Sequence, residues 1–194
     1  MKNNEIDHRS RLLSGLASAM SSKRYQDITI ADIASAAQVS RRTIYEYFPN
    51  KDACFLALAE QTSQTIMMEM AAALDDSKTW PELVHDITDA YLRLIDAQPQ
   101  LMKVLYVELG ALGEAGVAMR HQVASQFAGF LQLQIDALRA RGEPLQPLDL
   151  AMGMAVVAGV NELILYALNN QGDYRLMELA PVAEALILRL TTAL

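Results

Sequence analysis

Basic, hydroxyl and phenolic side chains lie close together between Thr29 and Lys51, and these residue types suit contact with a nucleic acid. An arginine can form a bidentate pair with a guanine edge, and a threonine can contact the methyl group of thymine. Tyrosine and lysine side chains, and backbone amides at helix starts, are suited to phosphate oxygens. The candidates for base contact are Arg41, Arg42 and Thr43, and those for phosphate contact are Tyr45, Tyr47, Lys51 and the helix starts at Thr29 and Ser40.

Two short predicted helices position these side chains. Thr29 is a good N-cap for a helix over residues 30–37, and Ser40 is a good N-cap for a helix from Arg41 to about Phe48. A turn of three or four residues joins the two helices. This spacing predicts a helix-turn-helix, whose second helix enters the DNA major groove. The small core that the two helices are expected to share consists of Ile33, Ala34, Ala37, Val39, Ile44 and Phe48.

The charge of the chain is divided unevenly along its length. The net charge of −7 argues at first against a nucleic-acid partner. Residues 1–51, however, hold 8 Lys or Arg and 5 Asp or Glu, whereas residues 52–194 hold 8 Lys or Arg and 18 Asp or Glu. A basic end on an acidic body suggests that the N-terminal part faces DNA, since phosphate repels the remainder.

The whole chain is predicted to be all-α, with about nine helices. Apolar residues make up 52% of it, aromatics only 6%, and no alternating strand pattern occurs. We expect a three-helix DNA-binding domain over residues 1–51 and a larger helical domain for effector binding and dimerisation over residues 52–194. The predicted helices cover about residues 7–22, 30–37, 41–48, 51–74, 80–97, 99–109, 117–141, 147–170 and 181–193, with glycines 110, 113 and 116 marking a loop or a weakened helix end.

Residues 9–58 resemble the DNA-binding domain of TetR-type (tetracycline-repressor-like) transcriptional regulators. The rest of the chain is similar to this family only in length and helical layout. Two positions depart from the family pattern: Arg24 and Gln38 stand where glycine is usual, and a non-glycine residue in the turn has a modest cost. The matching positions are Thr29, Ile33, Ala34, Ala37, Val39, Ser40, Thr43, Ile44, Tyr45, Tyr47, Phe48 and Lys51, with Leu13, Ala17 and Met20 in the preceding helix.

The resemblance implies a role for each of these side chains and for the whole protein. Arg41, Arg42 and Thr43 would face bases. A ligand-responsive regulator, a repressor released by a small and lipophilic effector, would bind a near-palindromic operator as a homodimer. The residues implied to hold the DNA backbone are Thr29, Ser40, Tyr45, Tyr47 and Lys51.

A nearly continuous apolar segment, residues 150–168, predicts a dimer interface. A helix that is apolar on every face must be buried on every face, and large exposed apolar patches are rare on monomers. We therefore expect this helix and the last one to form a four-helix bundle with a second copy, although a single monomeric core is the alternative. The expected interface residues are Met154, Ala158, Leu165, Leu186 and Leu190.

Methionine and aromatic residues between the two ends suggest an effector pocket. Such side chains at helical spacing are also typical of an ordinary core, but methionine adapts to varied ligands. Glu162 is a carboxylate in an apolar helix, so it would need a partner, such as a cationic effector or the second subunit. The expected pocket residues are Met67, Tyr91, Met102, Tyr106, His121, Phe127 and Glu162.

Several kinds of chemistry find no support in the sequence. Cys54 is the single cysteine, so no intrachain disulfide or cysteine-based metal site is expected, and no second His or Cys has a spacing that suits His121 as a ligand. We expect no catalytic residues, metal or cofactor. The N-terminus lacks the apolar stretch of a signal peptide and Glu162 interrupts the longest apolar run, so a cytoplasmic protein without a membrane partner is expected.

Two other classes of function remain open from the sequence. One is a small helical enzyme, although no nucleophile with its base and no nucleotide loop is recognisable. The other is a protein-interaction module that uses its apolar helices without specific DNA binding, in which the basic and tyrosine side chains of the helical hairpin are merely solvated.

Overall fold

The computed structural model describes residues 2–170 and 175–192, with no side-chain description for residues 2–7. The described residues form nine α-helices and two short 3-10 helices, which confirms the predicted all-α fold. The α-helices are α1 (Lys2–Met20), α2 (Ile30–Ala37), α3 (Arg41–Tyr47), α4 (Lys51–Ala72), α5 (Trp80–Ala97), α6 (Pro99–Ala111), α7 (Gly113–Ala140), α8 (Leu150–Asn169) and α9 (Ala180–Thr191), and the 3-10 helices cover Tyr25–Asp27 and Leu176–Leu179.

Helix α1 begins at Lys2 and not at about residue 7. Two further helix starts differ from the sequence prediction for identifiable reasons. Helix α8 begins at Leu150 and not at Pro147, because the Asp149 carboxylate accepts a hydrogen bond from the Met152 amide at 2.7 Å and so caps the helix there. Helix α7 begins at Gly113, and Gly116 lies inside it. A Cβ atom at Gly116 would collide with the carbonyl of Leu109, so this glycine serves the close approach of two helix ends and not a loop.

The C-terminal helix α9 is preceded by the 3-10 helix over Leu176–Leu179. The predicted end of this last helix at residue 193 lies outside the described residues.

The chain divides into two compact units, and the first consists of residues 1–62 and 100–119. Within it, α1 packs on α2, and α3 packs against both. Gly15 permits the close approach of α1 to α2, because a Cβ atom there would lie 2.8 Å from the Ala37 amide nitrogen. The core of these three helices includes Leu12, Leu13, Leu16, Ile33 and Ile44, all nearly inaccessible to solvent.

The second unit consists of residues 63–99 and 120–194. Helix α5 packs on α9 and on the short 3-10 helix before it, and α8 packs on both of these. The buried Trp80 indole donates to the Thr191 hydroxyl at 2.7 Å, and that hydroxyl donates to the Ile187 carbonyl at 2.8 Å. Because each polar group in this chain has a partner, the chain ties α5 to α9 without leaving a buried polar group unpaired. The predicted domain division at residue 51 stays a prediction.

Helix α8 corrects one expectation about membranes. Glu162 does not lower the apolar character of α8 enough to exclude a membrane span. A stretch of 18 residues in this 20-residue helix has a mean hydropathy of 1.7, and the helix could cross a bilayer by length and composition alone. Its Val156, Val160 and Ile164 are buried within the second unit, as in the core helix of a folded domain.

Candidate nucleic-acid interface and internal cavity

A reciprocal cap fixes the start of α2. The Thr29 hydroxyl accepts from the Asp32 amide at 3.2 Å, and the Asp32 carboxylate accepts from the Thr29 amide at 2.8 Å. The Lys23 ammonium lies 2.6 Å from the same carboxylate. These bonds hold the pKa of Asp32 far below its usual range, with the Lys23 bond as the largest cause. Thr29 therefore stands exposed at a helix start whose geometry is set.

The turn between α2 and α3 has Gln38 in the left-handed region, with φ 55° and ψ 44°. The Gln38 amide donates to carbonyl groups of α2, and the Val39 amide donates to the Ala34 carbonyl at 3.0 Å. The Arg11 guanidinium on α1 donates to the carbonyls of Ala37 and Gln38 at 2.9 and 3.0 Å. The turn thus has the left-handed geometry that glycine usually supplies, held by hydrogen bonds from within and from α1.

Helix α3 presents one face to solvent. Ile44 and Phe48 are buried, so the side chains on the opposite face point outward. Arg41 is exposed, the Arg42 side chain is 91% exposed, and Tyr45 is 59% exposed. We call Arg41, Arg42 and Tyr45 the exposed face of α3. Glu46 is also exposed, and its carboxylate lies 3.3 Å from the Arg42 guanidinium. Helix α3 therefore exposes two positive charges and one negative charge, a polar surface that is compatible with a DNA groove.

Three other predicted residues flank this face. Ser40 is exposed and caps α3, since its hydroxyl accepts from the Thr43 amide at 3.1 Å. The Thr43 hydroxyl is half-buried and lies 2.9 Å from that of Ser40. Tyr47 is half-buried, with its ring edge-on to that of His8. The local structure therefore brings most of the predicted residues to α3 and its start.

Lys51 has partners that the sequence did not indicate. Its ammonium donates to the carbonyls of Tyr25 and Gln26 at 2.8 and 3.3 Å and lies 4.4 Å from the centre of the Tyr25 ring. The Tyr25 hydroxyl in turn donates to Asp52 at 2.6 Å, and burial raises the pKa of Tyr25 well above its usual range. Lys51 therefore holds the start of α4 against the 3-10 helix Tyr25–Asp27. An ammonium has three donors, so this role is compatible with a phosphate contact.

The second unit contains a cavity of about 50 Å³. Its wall is almost entirely aliphatic and aromatic, with Thr88, Tyr91 and Asn161 as its polar members. The lining residues are Met70, Ile87, Thr88, Tyr91, Phe127, Leu131, Val156, Val157, Val160, Asn161, Ala183 and Ile187.

Two of the seven predicted pocket residues, Tyr91 and Phe127, lie on this cavity. Their ring centres are 5.6 Å apart, and the Tyr91 hydroxyl donates to the Asn161 amide oxygen at 2.7 Å. Of the others, Met102 is buried and Tyr106 half-buried in the first unit, while Met67 is half-buried and His121 and Glu162 are exposed. These five do not line the cavity, and their assignment to a pocket stays a prediction.

Sequence reasoning chose Glu162 where the structure has Asn161 in the cavity wall. The helical period distinguishes them, because Asn161 follows Val157 by four residues and precedes Ile164 by three, and both are buried. Glu162 lies four residues after the exposed Ala158 and is itself exposed. If α8 is taken to be buried on every face, the helical period does not separate Asn161 from Glu162. In the single chain, however, one face of α8 is accessible.

The predicted dimer residues are accessible in the single chain. Ala158 is exposed, and the other four are half-buried, as the structure describes them on α8 and α9. Larger apolar side chains on these helices are also exposed, among them Met152, Tyr166 and Val182, at 43%, 53% and 52%. A surface of this kind is available to a partner. Within the described residues, no group of three or more His, Cys, Asp or Glu side chains is arranged to hold a metal ion.

Comparison with known sequences places the helix-turn-helix in a family. Residues 12–58 match the family described as bacterial regulatory proteins, tetR family. Curated relatives include the nucleoid occlusion factor SlmA of Haemophilus influenzae (strain PittGG), 27% identical over 134 residues, and that of Shewanella sp. (strain W3-18-1), 27% identical over 124 residues. These matches cover 66% and 64% of this chain and 62% of each relative, so the chain spans less than two thirds of the relatives' length.

Solved structures share the fold along nearly the whole chain. The fatty acid degradation regulator FadR from Bacillus halodurans superposes with a TM-score of 0.79 at 18% identity, covering 93% of this chain and 94% of that one. The transcriptional regulator FadR from Bacillus subtilis, in complex with stearoyl-CoA, has a TM-score of 0.76 at 20% identity and coverages of 92% and 96%. Residues 12–58 are thus similar to the tetR family of bacterial regulatory proteins, and nearly the whole chain has the fold of these solved structures.

Proposed function

We propose that this regulator is a repressor that binds a near-palindromic operator as a homodimer and is released by a small lipophilic effector. The observation that carries the proposal is the exposed face of α3, which stands on a helix-turn-helix whose caps and turn are fixed by internal hydrogen bonds. Rigid placement matters because a base-reading side chain must meet its partner atoms with good geometry.

On this proposal the contacts divide into two classes. Arg41, Arg42 and Thr43 read base edges in the major groove. Phosphate contacts set the position and orientation of the protein and carry no sequence information directly. The residues proposed to make them are Thr29, Ser40, Tyr45, Tyr47 and Lys51.

The proposed dimer uses the accessible sides of α8 and α9. Met152 and Tyr166 of α8 and Val182 of α9 are exposed in the single chain, and exposed apolar side chains of this size are available to a partner. Ala158 and Gly159 would let two copies of α8 approach closely. We propose an interface built from Met154, Ala158, Leu165, Leu186 and Leu190. Two copies of α3 about 34 Å apart would then meet successive major grooves of one operator.

The proposed effector site is the cavity of the second unit. An apolar cavity with a few convergent polar groups is the usual form of a small-molecule site. FadR from Bacillus subtilis, which shares the fold, was solved with stearoyl-CoA bound. An effector of this protein would act by binding the conformation that does not bind DNA more tightly than the one that does, because equal affinity shifts no equilibrium.

A gel-shift titration on DNA that flanks the protein's own gene tests the regulatory part. We expect retardation that exceeds that of random DNA of equal length and weakens steeply as salt rises. No preference over random DNA at about 0.15 M salt would contradict the proposal. Light scattering at micromolar concentration tests the dimer, and a monomer there would contradict the interface.

Nucleoid occlusion is a second candidate, favoured by one observation. The match to curated nucleoid occlusion factors extends over 134 residues, well beyond residues 12–58. Chromosome-wide mapping of bound sites distinguishes the two. Few sites, each upstream of a gene whose expression changes on deletion, support the repressor. Many dispersed sites without expression changes support nucleoid occlusion.

A further inference from the structure

We propose that the cavity of the second unit takes a compact, uncharged and mostly apolar molecule that carries one hydrogen-bonding group. This inference rests on the proposed effector site and names the chemical class that the site would accept. It is carried by three features of the cavity: the absence of charge in its described wall, one polar pair, and its size.

The charge of the ligand follows from the wall. As far as the structure describes it, the cavity is lined without Asp, Glu, Lys, Arg or His. An ionised ligand group would leave water for this wall without an opposite charge to meet it, which is strongly unfavourable. Molecules that would place a charged group inside the cavity are therefore disfavoured as occupants.

The single polar group of the ligand follows from the pair that Tyr91 and Asn161 form across the cavity wall. The Tyr91 hydroxyl, which can donate and accept, is 2.7 Å from the Asn161 amide oxygen. A hydroxyl group on the ligand can donate to the Tyr91 oxygen or to the Asn161 amide oxygen while the hydrogen bond between these two side chains is kept. Of the remaining wall, Thr88 is polar, and the other residues, which include Ile87, Phe127 and Val160, offer apolar contact.

The size of the ligand follows from the volume of about 50 Å³. An engineered apolar cavity of roughly 150 Å³ holds one benzene ring, so even a single-ring ligand must displace part of the smaller wall here. Met70 can move, since it is an unbranched side chain that lines the cavity and is 5% exposed. Val156, Val157 and Val160 are β-branched and stiffer. We therefore expect a ligand with one ring or a short branched chain.

A matched series of four compounds with the same ring tests the proposal: benzyl alcohol, toluene, benzoate and benzylammonium. Affinity is measured by calorimetry and thermal shift at about pH 7, where the last two are ionised. We expect benzyl alcohol to bind best, toluene several-fold more weakly, and both ions at least about tenfold more weakly than the alcohol. Ion binding equal to that of the alcohol, or no binding by any compound, would overturn the proposal.

Two substitutions assign the binding to the cavity. Tyr91→Phe keeps the ring and removes the hydroxyl, so we expect toluene to bind as before while benzyl alcohol loses its advantage over it. Asn161→Asp places a carboxylate in the wall, so benzylammonium should gain affinity over benzyl alcohol. The matched controls are Tyr166→Phe and Asn169→Asp, at exposed positions of α8, which should leave the order of the four compounds unchanged. An unchanged order in both cavity variants would overturn the assignment.

These measurements use the protein without DNA. If the compounds do not bind although the gel shift shows specific operator binding, the proposed ligand class is wrong and the proposed regulatory function is still supported. If the compounds bind as expected but no specific DNA is retarded, the proposed regulatory function is wrong and the cavity chemistry stands.

Discussion

Arg11 on α1 donates a hydrogen bond to the carbonyl of Gln38 at 3.0 Å, across 27 residues of sequence. The bond meets the chain at the residue with a left-handed backbone, φ 55°. A non-glycine residue in this region is disfavoured by roughly 1 kcal/mol, because its Cβ crowds the backbone. The first helix therefore helps to hold the turn in a conformation that the glutamine itself does not favour.

Gln38→Gly should stabilise the protein by about 0.5–1 kcal/mol, because glycine adopts the left-handed region without that cost. The free energy of unfolding in urea measures the change. Ala36→Gly is the matched control, at an exposed position inside α2, and should destabilise by about 1 kcal/mol. A loss of stability in Gln38→Gly would mean that the glutamine side chain holds the turn in some further way.

Substitutions on the exposed face of α3 should separate base reading from backbone contact. Arg41→Ala and Arg42→Ala are each expected to cost about 1–3 kcal/mol on the preferred operator and to relax the base preference. Tyr45→Ala should weaken binding to all sequences alike. Gel shifts on a set of operator variants measure both effects.

Arg93→Ala is the control for simple loss of a positive charge, since Arg93 is an exposed arginine of the second unit. It should change neither affinity nor preference. Unchanged binding by both α3 arginine variants would remove the proposed base-reading role from this face.

The helix-turn-helix could be predicted from sequence because its determinants are local. Thr29 and Ser40 each cap a helix through an amide three residues ahead, and Ile44 follows the turn at a spacing that only one register satisfies. Such short-range patterns are visible in a linear sequence. The Lys51 bond to the Tyr25 carbonyl joins residues 26 positions apart, so no local pattern indicated it.

The cavity could be predicted only in part because long-range packing decides it. Tyr91 and Asn161 are 70 residues apart, and their meeting depends on how α5 and α8 pack. The helical period alone could have placed Asn161 with the buried valines of α8, but an unbroken apolar run weakens that signal. Composition therefore indicated a lipophilic pocket with Tyr91 on it but gave no reason to prefer Asn161 to Glu162.

Gly15→Ala should destabilise the first unit by about 1–3 kcal/mol, because the new Cβ would lie 2.8 Å from a backbone nitrogen of Ala37. The backbone of Ala37 cannot shift to relieve this contact as easily as the end of a flexible side chain could. Chemical denaturation measures the loss, and operator affinity should fall with it.

Gly129→Ala is the control, since a Cβ there has no neighbour within 4 Å. Inside α7, this change should stabilise by up to about 1 kcal/mol through helix propensity alone. If Gly15→Ala were equally favourable, the close approach of α1 to α2 would not be constrained by the glycine.

The pairing of His85 with Glu184 should make stability depend on pH. The two side chains are 2.9 Å apart and join α5 to α9, and the bond with Glu184 raises the pKa of His85 above its ordinary value. Asp86 and Asp89 act in the same direction. Because the folded pKa is the higher one, the contribution is fully present below the unfolded pKa and is lost as pH rises through the folded value.

Thermal unfolding of His85→Gln should therefore show a lower melting temperature than the unsubstituted protein near pH 5.5, and the same one near pH 9. The difference should be small, because His85 is 63% exposed and solvent screens the pair. Glu184→Gln is expected to remove the same pH dependence. If the difference in melting temperature between His85→Gln and the unsubstituted protein grew with pH, the pH dependence would be opposite to the expected one and would contradict the pairing.

Cys54 should react with thiol reagents only when the first unit opens. Its side chain is fully buried, and burial raises its pKa to about 12, so little thiolate exists near neutral pH. With a chromogenic aromatic disulfide, we expect labelling of the folded protein to be on the order of a thousandfold slower than of the urea-unfolded chain.

Labelling of Cys54 also reports on the contacts at the start of α4. Cys54 follows Lys51 and Asp52, whose hydrogen bonds join α4 to the 3-10 helix Tyr25–Asp27, so labelling requires this part of the chain to open. On our proposal, specific operator DNA binds the first unit only when that unit is folded, so it should slow the labelling of Cys54 further. Random DNA at about 0.15 M salt should not slow it. Rapid labelling of the folded protein would show that this part of the unit opens readily and that the helix-turn-helix is not held as rigidly as its hydrogen bonds indicate.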